Sequence, residues 1–454
     1  MSFDRRSVLL VTTIGSFLTP FMGASINIAL PSIGSEFAID AILLSWIAIS
    51  FLLASAISLV PFGRLADIHG RKKVFIYGMM IYTFSSFLLT VANSAIILIL
   101  LRILQGIGGA MIYSTAVAIL TSAFPIEDRG KVLGINVASV YLGLSLGPFL
   151  GGFLTQNFGW RSIFFVNIPL GLFILLITKL KLKREWAEAK GERFDFIGSI
   201  IYGFTLLTII SGFSLLPSIL GLSLILIGAL GVLIFIKFET NLENPIFNFK
   251  LFKNNTVFTF SNLAALINYS ATFAVSFLLS LYLQYIKGLN PQNAGLILIA
   301  QPFVQAIFSP LAGKLSDKIE PRIVASIGMG LTTIGLFILT FINERTILEF
   351  ILINLIILGL GFALFSSPNT NAVMSSVDKR FYGVASATIG TMRLIGQVLS
   401  MGIVTLVFAI YMGRVQITFE YYQSFLNSIR IAFTIFTTLC FLGIFASLAR
   451  GELR

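Results

Sequence analysis

The stretch GRLADIHGRKK, residues 63–73, crowds Arg64, Asp67, His69, Arg71, Lys72 and Lys73 into a chain that is otherwise almost unbroken apolar sequence. A cluster of this kind can make and break ion pairs. It lacks the nucleophile with a base, or the paired acid and base, of a catalytic centre. A second stretch, GKLSDKIEPR at 313–322, repeats the spacing: Gly63, Arg64, Leu65, Ala66, Asp67 against Gly313, Lys314, Leu315, Ser316, Asp317. Short loops beside a membrane attract lysine and arginine in any case, but that leaves the matched Gly and Asp unexplained, and an internal duplication explains them. His69 is the only histidine and Cys440 the only cysteine. No histidine-based metal site, thiolate cluster or intrachain disulfide is therefore expected, nor any cofactor or enzymatic activity. Two further charges, Arg102 and Arg393, stand inside apolar runs.

The elements that must position these residues are membrane spans. The chain of 454 residues is 57% hydrophobic and 11% charged, with a mean hydropathy of +0.95. Apolar runs of about 18–25 residues, each long enough to cross a bilayer as a helix, follow one another from Val8 to residue 448. Counted between charges and Gly/Pro clusters they make fourteen, and the first, Val8–Leu30, reads as an uncleaved span. With both termini cytoplasmic, 24 of the 31 lysines and arginines fall in inward-facing segments, a bias that orients the protein. The net charge of +12 is thus a topology signal, and no nucleic acid is expected as a partner. Setting aside 196–238 as an inserted hairpin leaves two groups of six spans. The expected organisation is a bundle over 1–180, a basic cytoplasmic linker over 181–195, the hairpin over 196–238, a second linker over 239–255 and a second bundle over 256–454.

In this order the segments resemble the major facilitator superfamily, in its fourteen-span drug:proton antiporter branch. GRLADIHGRKK is similar to the signature loop between spans 2 and 3, LRILQGIGGA (101–110) to the fourth-span motif with its arginine, and GLSLGPFLGG (143–152) to the fifth-span antiporter motif. SINIALPSIG (25–34), WRSIFFVNIPLG (160–171), YLQYIKGLNPQNAG (282–295) and SSPNTNAVM (366–374) resemble further segments of that branch. The resemblance implies an all-α polytopic fold, two six-helix bundles plus an inserted hairpin, rocking about a central site to alternate access.

Each group of residues then carries an expectation. Gly63, Arg64, Asp67, Gly70, Arg71 and Asp128, with Gly313 and Asp317 in the second half, form the gate. Asp67 can accept from the positive N-terminal end of a helix in the other bundle, and Arg64 and Arg71 can pair with it or with Asp128; the other reading is a weak surface ion pair. Gly143, Gly147, Gly151 and Gly152 make a smooth stripe on span 5, with a bend at Pro148, that either seals the bundles together or serves ordinary helix packing. Arg102, with Gln105 one turn on, faces a cavity or snorkels outward; Arg393, with Gln397, poses the same choice. Asn27, Asn136, Asn262, Asn268, Gln301, Gln305, Asn369 and Asn371 either line the solute path or hold helices together. The basic linker KLKLKREWAEAKGER (179–193) is an amphipathic surface helix or a plain topology signal.

One departure bears on mechanism. Proton-coupled members of that branch carry an aspartate five residues before the Asn of N-I-A-L-P, and here that position is Met22. No aspartate or glutamate lies deep in any predicted span, so proton coupling is in doubt and neutral or anionic solutes suit the chain better than cations. The expected function is export of small amphipathic compounds across the plasma membrane by a monomer among lipids. The alternatives are an importer or facilitator, or a transporter-fold receptor without transport.

Overall fold

The computed structural model of the chain describes residues 3–242, 245–247, 249–253, 255–378 and 382–451, and every regular element in it is helical. Among these residues fourteen helices are long and apolar enough to cross a membrane. Spans 1–6 are Arg5–Phe37, Ala41–His69, Arg71–Thr90, Ala95–Ala123, Lys131–Phe158 and Ser162–Lys181. Spans 7 and 8, the hairpin, are Phe196–Leu215 and Ile219–Thr240. Spans 9–14 are Thr256–Ile286, Pro291–Ser316, Pro321–Leu339, Leu348–Ser375, Val384–Tyr411 and Phe419–Leu448. Polar caps mark several of the turns: Asp40 accepts from Leu43 N at 2.7 Å, and Asn290, preceding Pro291, accepts from Asn293 N at 2.8 Å.

The two groups of six pack alike, partner for partner. Span 1 lies on span 5 and spans 2 and 3 on span 4; span 9 lies on span 13 and spans 10 and 11 on span 12. Matched glycines permit the closest approaches. Gly106 of span 4 abuts the Phe51 carbonyl of span 2, and Gly359 of span 12 abuts the Gln301 carbonyl of span 10. Gly78 and Gly328 repeat the relation for spans 3 and 11. Backbones this close leave no room for a Cβ, which is how helices associate in lipid without a hydrophobic drive between them.

Both described termini and the basic loops share one end of the molecule, here called the basic face. The halves meet through spans 5 and 10 on one side and spans 2 and 13 on the other. Span 7 covers the second seam: the Tyr202 hydroxyl donates to Ala56 O of span 2 at 3.0 Å, and Phe213 packs on Gly402 of span 13. Span 8 lies outside it and exposes Leu226, Leu230 and Leu233, a surface suited to lipid. The hairpin is flanked at the basic face by two acids that converge on Gly198: Asp195, which caps span 7 through Gly198 N at 2.9 Å, and Glu239, 1% exposed, which accepts from Phe247 N at 3.0 Å.

Two boundaries differ instructively from the sequence expectation. Span 2 continues as helix to His69, so the charged stretch is the helix end itself and only Gly70 turns the chain, at φ +120°. The linker is not an amphipathic helix: residues 182–195 form an irregular strap across the basic face of the first half.

Candidate functional site

The strap explains the charged stretch. Arg71 donates from Nε to Asp67 Oδ1 at 2.8 Å and grips Glu188 with both terminal nitrogens, at 2.8 and 3.0 Å. It also bonds the Ser122 hydroxyl, which in turn donates to Glu188 Oε1 at 2.8 Å. Arg64 pairs with Glu192 at 2.5 Å, and Glu185 accepts from Lys72 N at 2.8 Å. Two backbone bonds complete the dock, Ala189 N to Asp67 O at 2.9 Å and Arg71 N to Trp186 O at 2.8 Å. The expected partnership of Arg64 with Asp67 or Asp128 is thus corrected. Glu192 takes that place for Arg64, Glu188 joins Asp67 on Arg71, Glu185 accepts from the Lys72 backbone, and Asp128 forms no ion pair with either arginine among the described residues. Asp67 pairs within its own half, so the latch to the other half is not made in this state. In the second copy Pro321 stands where Arg71 does in the first, and Asp317 accepts from Asn371 Nδ2 at 3.3 Å. Gly63 packs on Ser114 of span 4 and Gly313 on Ser367 of span 12.

Burial pushes the Glu188 carboxyl up, but the Ser122 hydrogen bond and the Arg71 charge outweigh it and hold Glu188 below the usual glutamate value. A carboxyl held low stabilises the docked strap at every pH above its ordinary range, and that contribution is lost as pH falls through the lowered value. Amide exchange at Ala189 and Arg71 should therefore stay slow through the ordinary glutamate range and quicken only in stronger acid. In Glu188→Gln the exchange should be faster throughout, with that pH step gone; an unchanged step would show that Glu188 does not hold the strap.

The glycine stripe divides between two jobs. A Cβ at Gly143 would come within 2.6 Å of Phe17 O, one at Gly147 within 2.5 Å of Ala24 Cβ and one at Gly151 within 2.8 Å of Ser25 Cα, all on span 1 of the same half. Only Gly152 meets the other half, against Pro291 O, and Gly295 of span 10 returns the contact against Pro148 O. The helix runs unbroken through Pro148. Gly295 closes the segment YLQYIKGLNPQNAG but carried no signal of its own. Further bonds join the halves near this end: Ala41 N to Val415 O at 3.1 Å, Gln416 Nε2 to Ala38 O at 2.7 Å, Ser45 Oγ with Thr405 Oγ1 at 2.9 Å and Gln284 Nε2 to Ile28 O at 3.0 Å. The halves are therefore clamped at the face opposite the basic one.

Between them, above this clamp, lies a cavity of about 1330 Å³, part of it open. Asn27, Gln301, Gln305, Arg393 and Gln397 line it, as does Pro148. Tyr113, Tyr269, Phe51 and Phe362 supply aromatic walls that the sequence reading missed; their one signal was a position near mid-span. The remaining candidates lie elsewhere. Arg102 is 1% exposed inside the first half, donating to Ile47 O at 3.3 Å and Gln105 Oε1 at 2.6 Å, while Gln105 donates to Ser86 Oγ at 2.9 Å. The Arg102 guanidinium stacks over Phe51, 4.4 Å from the ring centre. It neither lines the cavity nor snorkels outward. Asn136 and Asn268 are buried off the cavity, Asn262 bonds Phe258 O at 2.8 Å, and Asn369 bonds Ser261 O at 3.1 Å. Met22 is buried and accepts at Sδ from Asn167 Nδ2, 3.2 Å away.

The family model described as Major Facilitator Superfamily matches residues 12–252 and 262–452. The chain belongs to the major facilitator superfamily. Among superfamily relatives, the riboflavin transporter RibZ of Clostridioides difficile (strain 630) is 28% identical over 440 residues, covering 96% of this chain and 95% of that protein. The multidrug resistance protein Stp of Mycobacterium tuberculosis (strain CDC 1551 / Oshkosh) is 29% identical over 419 residues, 91% of this chain and 78% of that one. A solved superfamily-like structure, a bacterial homologue of the human lysosomal transporter Spinster in an inward-facing, unoccupied conformation, superposes with a TM-score of 0.72 at 16% identity, over 99% of this chain and 98% of that one. The fold is that of a transporter, not an enzyme.

Proposed function

We propose that this major facilitator protein exports small amphipathic compounds across the plasma membrane by alternating access. The observation that carries the reading is the mid-membrane cavity between two similarly packed halves, clamped at one face by hydrogen bonds of backbone, Ser, Thr and Gln groups and by the Gly152 and Gly295 contacts. Small-residue contacts of that kind separate at low cost, which a rocking carrier requires. The lysine and arginine bias argues that the basic face is cytoplasmic. The state described would then be ready to load from inside, and relatives bearing multidrug-resistance names support an outward direction. The RibZ match, over nearly the whole of both chains, favours a second reading, a carrier dedicated to one solute.

Proton coupling through an intramembrane acid finds little to work with. The carboxylates within the described spans lie near span ends, as Glu36, Asp67, Glu239, Glu349 and Glu420 do. Any coupled proton would travel on the solute or through Asp67 or Asp317.

Cells producing the protein, loaded with a panel of fluorescent amphiphiles of differing charge, should retain less of at least one dye than cells without it. Greater retention across the panel would reverse the direction. Equal retention, with no flux in proteoliposomes, would overturn transport of this class.

A further inference from the structure

Resting on the reading that the cavity is the solute path, we infer that Arg393 is an anion-recognition residue. Its cargo joins an aromatic plane to a carboxylate or similar acidic group. Arg393 sits in span 13 and opens onto the cavity. Its guanidinium lies over the Tyr269 ring of span 9, 5.4 Å from the centre, and its other polar neighbours are the hydroxyls of Tyr113 and Tyr141 from spans 4 and 5. No aspartate or glutamate is among the cavity-lining residues.

The contrast with Arg102 decides the assignment. Arg102 is sealed inside one half and spends its donors on a backbone carbonyl and a glutamine. Arg393 has five N–H donors and a full charge, its partners are the Tyr113 and Tyr141 phenols and the Tyr269 ring, and no carboxylate pairs with it among the described residues. A guanidinium this deep in a membrane protein is retained at a cost and ordinarily has a partner of opposite charge. Here the open side of the cavity is where that partner fits. The walls agree: Tyr269 and Phe362 meet edge-on, 5.4 Å between centres, and offer apolar faces to a ring. Gln397, one turn from Arg393, with Gln301 and Gln305 supplies neutral donors and acceptors for the rest of the cargo. Because Tyr113 and Tyr141 belong to the first half and Arg393 and Tyr269 to the second, an acid bound at this point touches both halves as they rock.

The test uses purified full-length protein at neutral pH and three matched probes: 2-naphthoate, its neutral methyl ester and a naphthyl trimethylammonium salt. Wild type should bind the naphthoate about tenfold or more tighter than the ester, the margin of a charge-assisted bidentate contact. Arg393→Gln should lose that preference while binding the ester as before. Arg393→Lys, which keeps the charge but not the fork, should retain part of it. Melting profiles of each variant separate loss of the contact from loss of the fold. Wild type binding the cation best, or all three alike, or no naphthoate at all, overturns the anion site. So does an unchanged preference in a folded Arg393→Gln. In each of those cases dye flux that persists leaves the transport reading standing, whereas loss of flux in wild-type vesicles counts against that reading instead.

Discussion

Gly152→Leu is expected to abolish transport without unfolding the protein. The added side chain would enter the backbone of span 10 at Pro291, on the far side of the seam between the halves. Overpacking of this sort costs about 2–3 kcal/mol, which lowers the population of the clamped state roughly 30- to 150-fold. The clamped state opens to the basic face, so the variant should rest with its opposite face open. Flux in vesicles should fall more than about tenfold, since each cycle must pass through the disfavoured state. Ser276→Cys reports the change directly. It lines the cavity, and the only native cysteine, Cys440, is buried. An impermeant maleimide added at the opposite face should label it slowly in the parent and rapidly beside Gly152→Leu. Gly147→Leu is the control, because its collision is with Ala24 and Phe21 of its own half. It should lower the folded yield without speeding labelling. Equal behaviour of the two variants would show that the seam is not where Gly152 acts.

That contrast also shows where sequence stops being informative. Span count, orientation and the doubling of the fold were readable because the bilayer imposes them. A crossing helix needs a long apolar run, basic loops stay on one side, and a duplicated chain keeps Gly63 and Asp67 in step with Gly313 and Asp317. The direction in which a mid-span residue points was not readable. Gly151 and Gly152 are neighbours in sequence, yet about 100° of helical rotation sends one to span 1 and the other to span 10. Arg102 and Arg393 carry the same signature, an arginine with a glutamine one turn on, and end in opposite settings. Helical periodicity relates residues to their own axis only; the packing of neighbours decides which face meets a cavity. The strap was hidden for a similar reason. Glu185, Glu188 and Glu192 look like ordinary surface acids in a basic linker until Arg64, Arg71 and Lys72 are seen beside them.

Arg102→Ala should damage the fold rather than the solute path. The substitution removes a buried guanidinium from Ile47 O, Gln105 and the Phe51 ring, and it leaves the Gln105 carbonyl oxygen without its donor. A void plus an unpaired buried polar group costs about 3–5 kcal/mol, a large part of the stability of most domains. Melting in detergent should begin well below wild type and the yield of folded protein should drop. Molecules that do fold should transport with a KM changed little, because no cavity-lining side chain is itself replaced and only the far side of Phe51 loses a neighbour. The opposite pattern, normal melting with a raised KM, would return Arg102 to the solute path. Gln105→Leu alone strands Arg102 Nη1 and should cost about 1–3 kcal/mol. Replacing both together, as Arg102→Met with Gln105→Leu, removes donor and acceptor at once and fills the space with apolar atoms. The double variant should melt above Arg102→Ala, since neither half of the pair is then left buried without the other.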